Sequence, residues 1–184
     1  LIEKVVSSQR IAYIESNHLA ELLQSAYRCC HGTETALISV QNEILCALDQ
    51  QQAVFLVILD LSAAFDTLDF DIMLQRFHDR FGISGSALQW FASYFKHRTC
   101  HVTIDGVDSD DIELQYGVPQ GSVIGPLSFT MYVRPIGDIL RKHGVRFHMY
   151  ADDIQIFLPF NPNIPGDAAC TQFKFENCIS EVQQ

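Results

Sequence analysis

The stretch Val145-Arg-Phe-His-Met-Tyr-Ala-Asp-Asp-Ile-Gln-Ile-Phe-Leu158 decides how the rest of the chain is read. Val145 to Tyr150 and Ile154 to Leu158 are apolar, β-branched and aromatic runs separated only by Ala151-Asp152-Asp153, the pattern of two strands joined by a tight hairpin. Two acids thus sit at the tip of an apolar ribbon, where loss of water would strain them unless a cation partner is present. Upstream, Val54-Phe-Leu-Val-Ile-Leu59 is a continuous apolar run that ends on Asp60, the signature of a strand buried on both faces with a charge at its C-terminal end. Alone, an acid at a strand end or an Asp-Asp pair in a turn is most often a cap or turn former. What sharpens the reading is that both occur, with a Pro119-Gln120-Gly121 loop between them.

Outward from these runs the chain reads as helices and a second hairpin. Leu37, Val40, Ile44, Leu45 and Leu48 fall at helical spacing over Thr33–Asp49, with Thr33 as N-cap. Met73, Phe77 and Phe81 predict a helix over Phe70–Phe81, and Leu88, Phe91 and Phe95 one over Ser86–Lys96. Asp66 and Asp69 read as turn and N-cap residues. Cys100–Ile104 and Ile112–Tyr116 form a hairpin with an acidic tip. A helix from about Pro126 should be interrupted or kinked at Pro135, and Asp167–Gln184 begins another.

Composition narrows the function classes. At 184 residues and 48% hydrophobic, the chain has material for about one globular domain and is too apolar to be disordered. Its charge of −10 argues against a free-standing basic module that grips nucleic acid through phosphates. Six cysteines without a C-x-x-C pair suit reduced thiols rather than a disulfide framework or a zinc site. No apolar run approaches bilayer length. With no basic leader and no initiator Met, the expectation is an internal piece of a longer intracellular polypeptide, nuclear and cytoplasmic, carrying no targeting signal of its own.

Phe55-Leu-Val-Ile-Leu-Asp-Leu-Ser-Ala-Ala-Phe-Asp66, Gly117-Val-Pro-Gln-Gly-Ser-Val-Ile-Gly-Pro-Leu127 and Tyr150-Ala-Asp-Asp-Ile-Gln-Ile-Phe157 resemble three successive core motifs of reverse transcriptases. The resemblance is closest to those of non-LTR (LINE-type) retrotransposons, and Gln24-Ser-Ala-Tyr-Arg-Cys-Cys-His-Gly-Thr-Glu-Thr-Ala-Leu37 resembles the motif that precedes them in that group. It implies an α+β fold: a polymerase palm, a ferredoxin/RRM-like antiparallel sheet with packing helices, plus part of the fingers. Residues 1–52 would be fingers-side helices, 53–160 the palm core, and 161–184 a loop and the start of the next palm helix, with the remaining fingers and the thumb outside the chain.

By the same resemblance, Asp60, Asp152 and Asp153 are the catalytic acids and hold two Mg²⁺ ions (Mn²⁺ as a substitute), with the main-chain oxygen of Leu61 as a further ligand. Phe65 would be the steric gate against ribonucleotides. Pro119, Gln120 and Gly121 would contact the nascent base pair, and Arg28 the template or triphosphate. The implied partners are an RNA template, a DNA primer or target DNA, deoxynucleotides, and the thumb and endonuclease domains of the same polyprotein, with no membrane. The alternatives are a truncated or decayed palm fragment that binds nucleic acid without catalysis, another palm-fold transferase such as a nucleotidyl cyclase, and a structural α+β domain.

Overall fold

The computed structural model describes residues 1–61, 63–119 and 121–183. Its first elements are helix α1 (Ile2–Ser16), helix α2 (Thr33–Asp49), strand β1 (Ala53–Asp60), helix α3 (Phe70–Asp79) and helix α4 (Gly85–Phe95). Short strands β2 (Arg98–Cys100), β3 (Thr103–Ile104), β4 (Val107–Asp108) and β5 (Ile112–Leu114) follow. Helix α5 (Gly125–Lys142), strands β6 (Arg146–Tyr150) and β7 (Asp153–Phe160), and helix α6 (Asp167–Val182) complete the chain. Two units separate: Leu1–Leu19 with Ala63–Tyr132, and Ala20–Ser62 with Val133–Gln184.

The second unit is built on a three-stranded antiparallel sheet in the order β1-β7-β6. The tight hairpin read from Ala151-Asp152 pairs β6 with β7, and β1 lies along the other side of β7. One face of the sheet carries Phe147, Met149, Ile154 and Ile156, all at most 3% exposed, with Phe55 reaching Phe160 and Phe175 of α6 at ring distances of 4.5 and 6.4 Å. The expectation that β1 is buried on both faces is not met. Leu56 and Ile58 are exposed, because β1 is an edge strand and alternate residues of an edge strand point away from the packed face.

Helix α2 begins and ends where its periodicity predicts, but its buried face is not the leucine stripe. Ala36, Val40 and Ala47 are buried while Leu37, Leu45 and Leu48 are exposed, so the small residues take the close side of the helix. Its cap is Gly32 rather than Thr33: the Thr35 hydroxyl accepts from the Gly32 N–H at 2.9 Å and donates to the Gly32 carbonyl at 2.8 Å. Of the interruption or kink expected at Pro135, the interruption does not occur: helix α5 runs through it without a break. A proline deletes only one helical hydrogen bond, and a long amphipathic helix with buried Phe129, Val133 and Leu140 has packing enough to outweigh that loss.

The first unit packs α3 and α4 through aromatic side chains. Phe77 and Phe91 meet edge to face at 5.0 Å, Phe70 and Phe95 lie 6.1 Å apart, and Phe77 and Phe95 are fully buried. Asp69 caps α3 as expected, its carboxylate accepting from the Asp71 and Ile72 N–H groups at 2.9 Å each. Arg10 of α1 is buried against this cluster, its guanidinium 5.2 Å from the Phe91 ring centre. It donates to Ser128 Oγ at 2.8 Å and to the Ile124 carbonyl at 2.9 Å. Burial pushes its pKa down to about 9. The acidic tip of the predicted hairpin forms its own small ribbon, β3 with β4, beyond the β2–β5 pair.

The Phe77 ring ties α3 to α4 and sits in full burial. Replacing it (Phe77→Ala) is expected to lower unfolding stability by about 3–5 kcal/mol. The check is urea denaturation followed by circular dichroism; a loss under about 1 kcal/mol would show that the aromatic cluster does not anchor this unit.

Candidate active site

The carboxylates singled out in the sequence lie at one end of the β1-β7-β6 sheet. Asp60, the last residue of β1, is the register partner of Asp153, the first of β7, and Asp153 in turn pairs with Tyr150 of β6. Residues paired across an antiparallel ladder present their side chains to the same face, so Asp60 and Asp153 share one. Asp152 immediately precedes Asp153 in the hairpin turn. The turn is entered through Ala151, a left-handed residue at φ 56°.

The acids are not desolvated as the sequence reading expected. Asp60 and Asp153 are exposed and Asp152 is half-buried, because the face of β1 that carries Asp60 is itself exposed, Leu56 and Ile58 with it. Among the described residues, no three His, Cys, Asp or Glu side chains converge into a metal cage, and no salt bridge or side-chain hydrogen bond reaches the three carboxylates. Hard, few and open donors of this kind suit Mg²⁺, which takes one or two protein carboxylates and completes its shell with water and substrate phosphate.

Segment 23–25 lies alongside β6 as a further short, parallel pairing. The Met149 N–H donates to the Leu23 carbonyl at 2.8 Å, and the Ser25 N–H to the Met149 carbonyl at 2.9 Å. Gln24 between them is buried, and its side-chain amide reaches the backbone of Ala151. Tyr27, at φ 58°, stands beside the turn; burial first, then the charge of Asp152 and the neighbouring Tyr150, push its phenol pKa up. Neither residue was assigned a role from the sequence, although both lie in the Gln24-Ser-Ala-Tyr-Arg28 string. Arg28 directs Nη1 to the carbonyls of Glu21, Leu22 and Gln24 at 3.2–3.3 Å, bracing the same segment.

The other motif residues belong to the first unit. Phe65 is half-buried and stacks on Phe129 at 4.7 Å. Its carbonyl accepts from the Val118 N–H at 3.0 Å, and the Gly117 N–H donates to the Leu68 carbonyl at 2.9 Å. The two motifs are thus stitched together backbone to backbone. Gly117 is required there: at φ 86° an added Cβ would stand 3.1 Å from the Asp66 Cα and carbonyl oxygen. Pro119 and Gly121 flank Gln120, which lies outside the described residues. All six cysteines are free, and only Cys178 is buried.

The sequence matches the family model for reverse transcriptase (RNA-dependent DNA polymerase) over residues 2–183. The chain belongs to the reverse transcriptase family. Among curated relatives, this reverse transcriptase chain is similar to the RNA-directed DNA polymerases from mobile element jockey of Drosophila funebris and Drosophila melanogaster. Identity is 27% over 161 residues and 25% over 162, in each case 85% of this chain and 17% of the relative. A protein of transposon X-element from Drosophila melanogaster is 26% identical over 156 residues, 84% of this chain and 17% of its own length. The chain therefore spans about one-sixth of the relatives it matches. Among the described residues, no helix is long and apolar enough to cross a membrane.

His148 on β6 is buried and bonded through Nε2 to Ser25 Oγ at 2.9 Å. Burial, then the nearby His31, hold its pKa below the ordinary 6.5. The unfolded chain binds this proton more readily, so the stabilising contribution is complete above the ordinary value and is lost as pH falls below it. Stability measured by urea unfolding should decline below about pH 6.5 in the wild type and decline less in His148→Gln; parallel curves would remove His148 from the acid-side loss.

Proposed function

We propose that this reverse transcriptase chain is the polymerase centre of a non-LTR retrotransposon enzyme, an RNA-directed DNA polymerase that extends a DNA primer 3′-hydroxyl with deoxynucleotides on an RNA template. The observation that carries the reading is the β1–β7 register, which sets Asp60 against Asp153 with Asp152 in the adjoining turn. In this reading residues 53–160, with the β1-β7-β6 sheet, are the palm core, residues 1–52 are fingers-side helices, and 161–184 are a loop and the start of the next palm helix. Thumb and endonuclease belong to the longer polyprotein, and the enzyme works in nucleus and cytoplasm.

Asp60 and Asp152, with Asp153 beside them and the Leu61 carbonyl as a further oxygen, would hold two Mg²⁺ ions, or Mn²⁺. When bound, such a pair supplies charge neutralisation to the attacking and leaving oxygens of an in-line phosphoryl displacement. The protein's own part is positioning. The ladder fixes the spacing of Asp60 and Asp153, and the hairpin aims Asp152 from a turn that cannot slide.

Phe65, whose ring stacks on Phe129, would be the steric gate against ribonucleotides, a planar ring under the sugar colliding with a 2′-hydroxyl. Pro119, Gln120 and Gly121 would line the nascent base pair, in a loop anchored by the Gly117 and Val118 hydrogen bonds to Leu68 and Phe65. Arg28, with Nη1 given to backbone carbonyls, would offer only its remaining nitrogens to template or triphosphate.

In primer extension on an RNA template with the full-length polymerase, Asp152→Asn should abolish incorporation, a loss of at least roughly a thousandfold. Retained activity would refute the assignment of Asp152, and a wild type that binds primer–template but never extends it would favour a fragment that holds nucleic acid without catalysis. Phe65→Val should raise ribonucleotide use relative to deoxynucleotide by roughly tenfold or more, while unchanged discrimination would take Phe65 out of the pocket.

A further inference from the structure

The two peptide planes that flank Ala151 are held by one side chain from 127 positions away. Gln24 Oε1 accepts from the Ala151 N–H at 2.9 Å, and Gln24 Nε2 donates to the Ala151 carbonyl at 3.2 Å. The first group lies in the Tyr150–Ala151 peptide and the second in the Ala151–Asp152 peptide. Because each peptide is planar, the angle between those planes is the backbone conformation of Ala151, and that conformation sets the direction in which the chain enters Asp152. A single planar amide that grips both planes therefore fixes the aim of the turn.

The clamp is itself fixed. Gln24 Oε1 also accepts from the Ala26 N–H at 3.0 Å, the Arg28 guanidinium donates to the Gln24 carbonyl at 3.2 Å, and segment 23–25 is bonded to Met149 on both sides. Gln24 is 3% exposed and Ala151 6%, so water cannot stand in for the amide. Ala151 needs the help, because its φ of 56° is a region in which an alanine is strained and a turn ordinarily uses Gly or Asn.

We infer that Gln24 is the positioning residue of the polymerase centre: its side-chain amide locks Ala151 in the left-handed conformation and thereby aims Asp152 and Asp153. The inference rests on the polymerase reading for its catalytic consequence, but not for its structural one. Gln24 touches no substrate in this assignment; it acts through the turn.

The test compares full-length wild-type polymerase with Gln24→Met, which keeps the volume and loses both bonds, and Gln24→Glu, which keeps the acceptor and loses the donor. Hydrogen exchange of the Ala151 amide, followed by mass spectrometry on metal-free protein, should quicken by roughly tenfold or more in Gln24→Met, with α6 unchanged. In single-nucleotide addition, kcat per active site, with sites counted by primer–template binding, should fall by roughly tenfold or more while the deoxynucleotide KM moves less than about threefold, a loss per site that a smaller folded fraction does not produce. Gln24→Glu should fall between wild type and Gln24→Met on both measures. Wild-type exchange at Ala151, or wild-type kcat, in folded Gln24→Met overturns the inference; if circular dichroism shows Gln24→Met unfolded, the same results in Gln24→Glu overturn it. A wild type that extends no primer would refute the polymerase reading, whereas the exchange measurement would still decide whether Gln24 locks the turn.

Discussion

The antiparallel register of β1 on β7 is the constraint on which the rest depends. Pairing Asp60 with Asp153 places both at one sheet end and on one face, and the same register sends Val57, Leu59, Ile154 and Ile156 to the opposite, packed face. Side chains alternate along a strand, so a slip of β1 by one residue would turn Asp60 to the packed face and Val57 and Leu59 away from it. The core thus enforces the site: hydrophobic burial selects the register, and the register delivers the carboxylates. An edge strand such as β1 lacks a second neighbour to hold it, which makes the packed face its main guard against slipping.

Much of this was legible in the sequence because the signals are local. The bounds of α2, the capping of α3 by Asp69 and the hairpin around Ala151-Asp152 follow from periodicity, cap chemistry and strand patterning. What failed depended on neighbours. An apolar run such as Val54–Leu59 does not reveal that one side of the strand has no partner, and the leucines of α2 do not reveal that Ala36 and Ala47 offer the closer approach. The acids were expected to be desolvated because the flanking residues are apolar, yet the face of β1 that carries Asp60 is exposed, Leu56 and Ile58 with it. Gln24 was invisible for a further reason: its work is a side-chain bond to the backbone 127 residues away, which leaves no mark on composition or periodicity. Only its place in the Gln24-Ser-Ala-Tyr-Arg28 motif pointed to it.

The charge balance of 12 bases against 22 acids also acquires a structural meaning. Several of the arginines are committed inside the protein: Arg10 to Ser128 and Ile124, Arg28 to three carbonyls, Arg76 to the Tyr132 carbonyl, Arg141 to Glu21. A guanidinium that has given its donors to backbone oxygen has fewer left for phosphate. In this stretch arginine serves mainly as mortar.

The choice of alanine at 151 bears on why a distant glutamine is needed. Glycine there would adopt φ 56° without strain, and the turn would close unaided. It would also leave the two peptide planes free to reorient, and the carboxylate that follows would sample many directions. Alanine narrows the accessible conformations but disfavours the left-handed one by about 1–2 kcal/mol, a cost of the size that one or two buried hydrogen bonds can offset. With Gln24 supplying two such bonds, the strained conformer becomes the held one, and the side chain that stabilises the turn also removes its freedom. Strain at Ala151 and the buried amide at Gln24 are thus a matched pair, and either without the other would leave Asp152 less well aimed.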